Sequence, residues 1–245
     1  MKFLLLFFTF IAYASNYLFA KPSDEFLNSK NTELTKNNTE LTFTKAHPWH
    51  GIDLYASKGI LNAFIELVPS DNVKYEIDKK TGYLKLDRPQ KYSNIFPSLY
   101  GFLPKTYCGK RVAEYSAKKI KRTNLVGDAD PLDICVLTEA KVNHGDVIVN
   151  VIPIGGFRMI DHGEVDDKIV AVLEGDPLYG KIRNLSECPK SVVDRLKHYF
   201  LTYKQLPSES QNSKKCEIAG VYNSEEAKEI IELASKDYQD KFANR

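Results

Sequence analysis

The sequence predicts an α+β fold, a small β-barrel with two helices packed outside it. Three observations lead there. Apolar residues alternate with period two through Leu61, Ala63, Ile65 and Leu67, and strand-like runs then recur between polar turns. Helical spacing of apolar residues appears late, after Pro189 and again after Ser224. The composition is that of a chain with a sizeable core, 43% hydrophobic and 27% charged over 245 residues. Five or more strands followed by two helices is the α+β order.

The chain opens on MKFLLLFFTFIAYASNYLFA, with basic Lys2, an apolar run from Phe3 to Tyr13 and small residues at Ala12, Ala14 and Ala20. That layout predicts a signal or targeting peptide over residues 1–20, cleaved after Ala14 or Ala20. Ser15 and Asn16 cut the run too short for a comfortable span, so no stable membrane association is expected after processing. Residues 21–46 are polar and read as a flexible leader, and 47–245 as a single domain. The expected destination is export, to a periplasm, a secretory route or an organelle.

Within the domain, Val73, Tyr75 and Ile77 share one strand face, Asp78 to Gly82 supply a turn, and Tyr83 to Leu86 return as a hairpin. Leu132–Leu137, Val147–Ile154 and Lys168–Leu173 are the further strands. Pro189 suits the first turn of a helix carrying Val192, Val193, Leu196, Tyr199, Phe200 and Tyr203. Ser224 is the predicted N-cap of the last helix, whose apolar face runs through Ala227, Ile230, Ile231, Ala234 and Tyr238.

A net charge of +2 argues against a dedicated nucleic-acid binder. The four cysteines form no C-x-x-C pair, which makes a zinc site improbable. One or two disulfides are compatible with export, while the run ICVL marks Cys135 as a small buried hydrophobe.

The chemistry concentrates in GDADPLDICVL. Asp128, Asp130 and Asp133 fall within six positions and run straight into an apolar strand. Carboxylates so crowded repel one another unless a cation or strong donors neutralise them. A hard cation such as Mg²⁺ takes oxygen ligands in this way, and Pro131 fixes the turn that would present them. The alternative is a solvated acidic turn bonding its own backbone. An EF-hand is excluded, because Asp133 stands where that loop needs glycine. A second acidic turn carries Asp161 and Asp166 just before the strand at Lys168, and two such turns can face a common mouth. Lys74, Arg88, Lys168 and Lys204, beside Tyr100 and Tyr203, suit a strongly anionic, metal-chelated substrate such as a phosphate compound.

These elements together resemble the soluble, Mg²⁺-dependent, barrel-type inorganic pyrophosphatases of family I. Asp128, Asp130, Pro131 and Asp133 match the signature D-G-D-P-x-D. IEL and KYEID supply Glu66, Lys74 and Glu76; LDRP supplies Arg88; FPSLYGF supplies Tyr100. MIDHGEVDDK supplies Asp161, Asp166 and Lys168, and HYFLTYK supplies Tyr203 and Lys204. The likeness runs from about residue 59 to 240.

The resemblance implies a five-stranded OB-like β-barrel with additional strands and two main C-terminal helices, acting as an inorganic diphosphatase that splits pyrophosphate into two phosphates. It implies two to four Mg²⁺ ions, with Mn²⁺ or other divalent ions able to substitute. Asp128, Asp130, Asp133, Asp161, Asp166, Glu66 and Glu76 are the implied metal ligands. Lys74, Arg88, Lys168, Tyr203 and Lys204 are the implied substrate contacts. Asp130 is the implied general base, with Asp128, Lys204, Arg88 and Tyr100 completing the catalytic set. It also implies a homo-oligomer, dimer or hexamer, and offers the cytoplasm as the alternative to export.

Four departures stand out. Ala129 replaces the usual glycine, and a negative φ is expected there. Phe96 stands for a common tyrosine, Leu99 for a common asparagine, and His162 for a common acidic residue. The segment Lys105–Leu125 is longer than in compact bacterial members, which leaves a lid or an interface open there.

Overall fold

A β-strand that pairs on both edges leaves no backbone group unbonded, and five strands here achieve that by closing a ring. The computed structural model describes residues 45–92, 95–204 and 216–242. The predicted targeting segment 1–20 lies outside the described residues, as does the leader 21–46 except for its last two positions. β1 (Tyr55–Ser57) leads into β2 (Ile60–Leu67), followed by β3 (Val73–Ile77), β4 (Leu84–Pro89) and β5 (Leu99–Phe102). Helix α1 (Lys110–Ile120), β6 (Val126–Gly127), β7 (Asp133–Leu137), β8 (Val147–Asp161), β9 (Glu164–Val165) and β10 (Lys168–Leu173) come next. A 3₁₀ turn at Leu185–Glu187, α2 (Lys190–Thr202), β11 (Glu217–Asn223) and α3 (Ser224–Phe242) complete the order.

Strand β2 pairs with β5, β5 with β7, β7 with β10, β10 with β8, and β8 back with β2. This is the closed five-stranded barrel that the sequence predicts. All its ladders are antiparallel except β7–β10, where Asp133 sits beside Lys168. β1, β6, β9 and β11 extend the barrel sheet, and β3–β4 form a separate hairpin.

Alternation along the strands divides the core. Ile169 and Ala171 pack with Ile134, Val136 and the helical residues Val112, Ala227 and Ile230. Val170 and Val172 pack instead with Cys135, Phe157 and the α2 residues Leu196, Tyr199 and Phe200. Helix α2 therefore backs one face, and α1 and α3 back the other.

Several local expectations are corrected. The predicted strand Val147–Ile154 runs on to Asp161, because its second half, GGFRMID, is buried between β10 and β11. Pro189 is the N-cap of α2, one place before the helical turn. The cap of α3 is Asn223, whose Oδ1 accepts the Glu226 amide at 3.0 Å, so Ser224 is already helical. Within the segment Lys105–Leu125, whose role the sequence leaves open, lies helix α1, packed on α3. Its N-terminus is held by Asp237 of α3, which accepts the amides of Gly109, Arg111 and Val112 at 3.2, 2.9 and 3.2 Å. All four cysteines are buried and free.

Candidate active site

The acidic turn is fastened to the segment before α1. The Cys108 amide donates to Asp130 O at 2.8 Å and the Ala129 amide to Cys108 O at 3.2 Å. Gly127 permits that approach, since a Cβ there would lie 2.0 Å from Cys108 O. The Asp130 amide donates to Asp128 Oδ1 at 3.0 Å, which closes the turn and aims Asp128 inward. Ala129 has φ 65°, contrary to the expected negative value. The two backbone bonds to Cys108 hold it in a conformation that glycine adopts without a steric penalty.

The second acidic turn is a hairpin tip. Asp161 pairs with Glu164 across His162 and Gly163, both of positive φ, and the ladder continues through Ile160 and Val165. His162 Nδ1 lies 2.6 Å from Asp161 Oδ1, so the imidazole that replaces an acidic residue meets the neighbouring carboxylate. Parallel strands start at the same end of a barrel, so β7 and β10 bring both acidic turns to one mouth.

There they line a cavity of about 730 Å³, and all thirteen predicted site residues border it: Glu66, Lys74, Glu76, Arg88, Tyr100, Asp128, Asp130, Asp133, Asp161, Asp166, Lys168, Tyr203 and Lys204. Gln90, Lys91, Glu164, Tyr199 and Phe200 also border it and were not predicted. The Tyr199 ring stacks on Tyr203 at 4.9 Å, a neighbour that the four-residue spacing on a helix could have revealed. Lys79, from the β3–β4 turn, pairs with Asp130 and was also missed. Phe96 packs its ring on Tyr100 and Tyr199 at 4.5 and 4.4 Å and contributes an apolar wall. Leu99 belongs to the core instead.

The lining carries eight carboxyl groups against five cations. Lys168, 2% exposed, donates to both Asp133 and Asp166. Lys204 pairs with Asp161, and Lys74 with Glu76. Tyr100 donates its hydroxyl to Asp133 at 2.6 Å, and the Ile77 amide donates to Glu66 at 2.7 Å. Burial pushes the Glu66 carboxyl up to about 8, with Asp133 and Asp130 adding to the effect. Burial and the neighbouring Asp166 raise Asp128 too, while Lys168 overcomes burial to hold Asp166 low.

Among the described residues, no three carboxylate, imidazole or thiol groups are gathered tightly enough to grip an ion as they stand. Three of the lining lysines rest on these carboxylates: Lys168 on Asp133 and Asp166, Lys204 on Asp161, and Lys74 on Glu76. The donor set nevertheless fits a hard divalent cation: it is all oxygen, and its carboxyl groups outnumber the cations around them.

An inorganic pyrophosphatase family model matches residues 63–239. The chain belongs to the inorganic pyrophosphatase family. As a member it is a hydrolase, and the family implies a divalent metal cofactor. An inorganic pyrophosphatase of Chlamydia muridarum is 53% identical over 198 residues, covering 78% of this chain and 93% of the relative. Soluble inorganic pyrophosphatase 5 of Arabidopsis thaliana is 36% identical over 161 residues, covering 65% and 66%. Among solved structures, the type I inorganic pyrophosphatase of P. falciparum superposes with TM-score 0.69 at 28% identity, covering 83% of this chain and 66% of that one. The inorganic pyrophosphatase of Thermus thermophilus gives 0.64 at 25% identity, covering 80% and 99%. No described helix of this pyrophosphatase is long and apolar enough to cross a membrane.

Proposed function

We propose that the chain hydrolyses pyrophosphate to two phosphates with Mg²⁺ as cofactor. The observation that carries this reading is the single cavity in which eight carboxyl groups face five cations. Asp128, Asp130, Asp133, Asp161 and Asp166 would hold two to four ions, with Glu66 and Glu76 as direct or water-mediated contacts; Mn²⁺ offers the same coordination chemistry. When bound, the ions neutralise phosphate charge and lower the pKa of coordinated water.

The chain's own groups do the rest. Lysines released from their carboxylates turn to the substrate, so Lys74, Lys168 and Lys204 join Arg88 and the Tyr203 hydroxyl in gripping the two phosphoryl groups. Asp130 takes one proton from the attacking water. Oxygen attacks one phosphorus, the bond to the bridging oxygen breaks, and the second phosphate departs against Lys204 or Arg88. Tyr100 orients Asp133 through its hydroxyl. Asp130→Asn should retain the fold and lose roughly a hundredfold or more in turnover. Phosphate release at the wild-type rate from that variant would remove Asp130 from the role of base.

The first twenty residues direct export in this reading, and the mature enzyme is a homo-oligomer, dimer or hexamer. Sequencing the N-terminus of protein from fractionated cells tests the first point, and an intact Met1 in the cytosol would overturn it. Sedimentation of the mature chain tests the second, and a monomer would overturn that. No oligonucleotide binding is expected.

A further inference from the structure

Asp166 and Asp167 are adjacent and identical, yet they face opposite ways. Strand alternation sends Asp166 and Lys168 to the cavity and Asp167 to the far face. There Asp167 is 1% exposed, and neither carboxylate oxygen has a hydrogen-bond partner among the described residues. A slip of one residue would exchange the two, putting Asp167 in the cavity and Asp166 beneath the helices. The tip of the hairpin does not forbid this. His162 and Gly163 form a two-residue turn, but histidine is a weaker choice there than asparagine, and Gly163 would equally serve a three-residue loop.

The ladder shows what stands opposite. The Asp166 amide bonds to Met159 O at 3.0 Å, and Lys168 pairs with Phe157, so Asp167 lies across from Arg158. Arg158 is 4% exposed and pinned on several sides. Its Nε donates to Ser116 Oγ of α1 at 3.2 Å, and its Nη2 to Glu226 Oε1 of α3 at 2.8 Å. The guanidinium also lies 5.7 and 5.3 Å from the ring centres of Tyr115 and Tyr222.

We propose that Arg158 is a positioning residue: held beneath α1 and α3, it selects Asp167 as the buried member of the pair and so delivers Asp166 and Lys168 to the cavity. A buried charge commonly costs stability, and fixing a register is its best-attested use. The inference rests on the metal-binding reading of Asp166 given above.

The test uses the full chain, with Mg²⁺ binding measured calorimetrically without substrate and amide hydrogen exchange followed along β8 and β10. Arg158→Met should weaken Mg²⁺ binding by about tenfold or more and reduce protection at Ile169 and Val170. Adding Asp167→Val to it should bring the affinity back to within about threefold of wild type, because valine cannot take the place of Asp166 in the cavity. Asp167→Val alone leaves Arg158 its bonds to Ser116 and Glu226 and should bind Mg²⁺ as wild type does. The proposal is overturned if Arg158→Met binds like wild type, if the double variant fails to recover, or if Asp167→Val alone loses about tenfold. Should Arg158→Met not fold, Arg158→Gln carries the same comparison, alone and combined with Asp167→Val. A wild-type chain that binds no Mg²⁺ overturns the metal reading, while the exchange pattern continues to test the selection.

Discussion

Tyr100 reaches from β5 to β7 and donates its hydroxyl to Asp133 Oδ2 at 2.6 Å. Burial and the Asp133 charge hold the phenol well above its ordinary pKa, so it stays a donor throughout the working range. Lys168 approaches the same oxygen from the next strand. Asp133 is thus held by two donors before any cation arrives.

Tyr100→Phe removes one of them without changing the packing against Phe96. A hydrogen bond to a charged group contributes about 1.5–3 kcal/mol, so turnover at saturating Mg²⁺ should fall roughly 10- to 100-fold. Phosphate release with unchanged circular dichroism checks this. Wild-type turnover would show that the hydroxyl has no part in holding Asp133.

Ala129→Gly should act in the opposite direction. At φ 65° the methyl group is strained, and glycine should relieve about 1 kcal/mol. For a domain of this size that raises Tm by roughly 2–4 °C. A thermal melt in the absence of divalent ions reads the effect directly, and an unchanged or lower Tm would mean the backbone there relaxes.

Removal and return of the cofactor should be visible as stability. A ligand that binds the native state alone at a hundred times its Kd adds about 2.7 kcal/mol. Saturating Mg²⁺ should therefore raise Tm by about 5–10 °C, and EDTA should reverse it. Asp133→Asn and Asp166→Asn should each lose most of that increment; a full increment in both would place the ions elsewhere.

Asp176 gives the fold an acid-sensitive joint outside the cavity. Burial pushes its carboxyl upward, but the Thr138 hydroxyl at 2.6 Å and the amides of Tyr179, Glu139 and Leu178 at 2.7, 2.9 and 2.9 Å outweigh that and lower it. With a native pKa below the unfolded value, its contribution is complete above about pH 4 and is lost as pH falls through the native value. Asp176→Ala should cost about 1–3 kcal/mol at neutral pH by leaving these donors unpaired. The difference from wild type should shrink in acid, as urea melts at pH 7 and pH 3 would show.

Much of this was legible because it depends on neighbours in sequence. Alternation marks β2 and β10, and the turn Asp78–Gly82 marks the β3–β4 hairpin. The acidic turn announces itself by crowding. What stayed hidden depends on distant partners. Helix α1 has no capping side chain of its own, since Asp237 supplies the acceptor from more than a hundred residues away. The short strand LYGF around Tyr100 and the strand EIAGVYN before α3 become strands by pairing with β2, β7 and β8. The sign of φ at Ala129 is set by Cys108, on another segment. Lys79 and Gln90 reach the site by the folding of the hairpin over the barrel mouth, which no local pattern records.

The parallel pairing of β7 with β10 also sets a timetable on the ribosome. Asp133 emerges 35 residues before Lys168, and 43 residues separate Asp161 from Lys204, the two pairings that calm the acidic turns. Chains emerge N-terminus first at roughly 5–20 residues per second, so the carboxylates spend several seconds without their lysines. A chain interrupted in that interval would carry the repulsion without its remedy. The second acidic turn meets its lysine only when Lys204, two residues past α2, has cleared the exit tunnel, whereas Lys79 and Tyr100 precede the first turn and are already there to meet it.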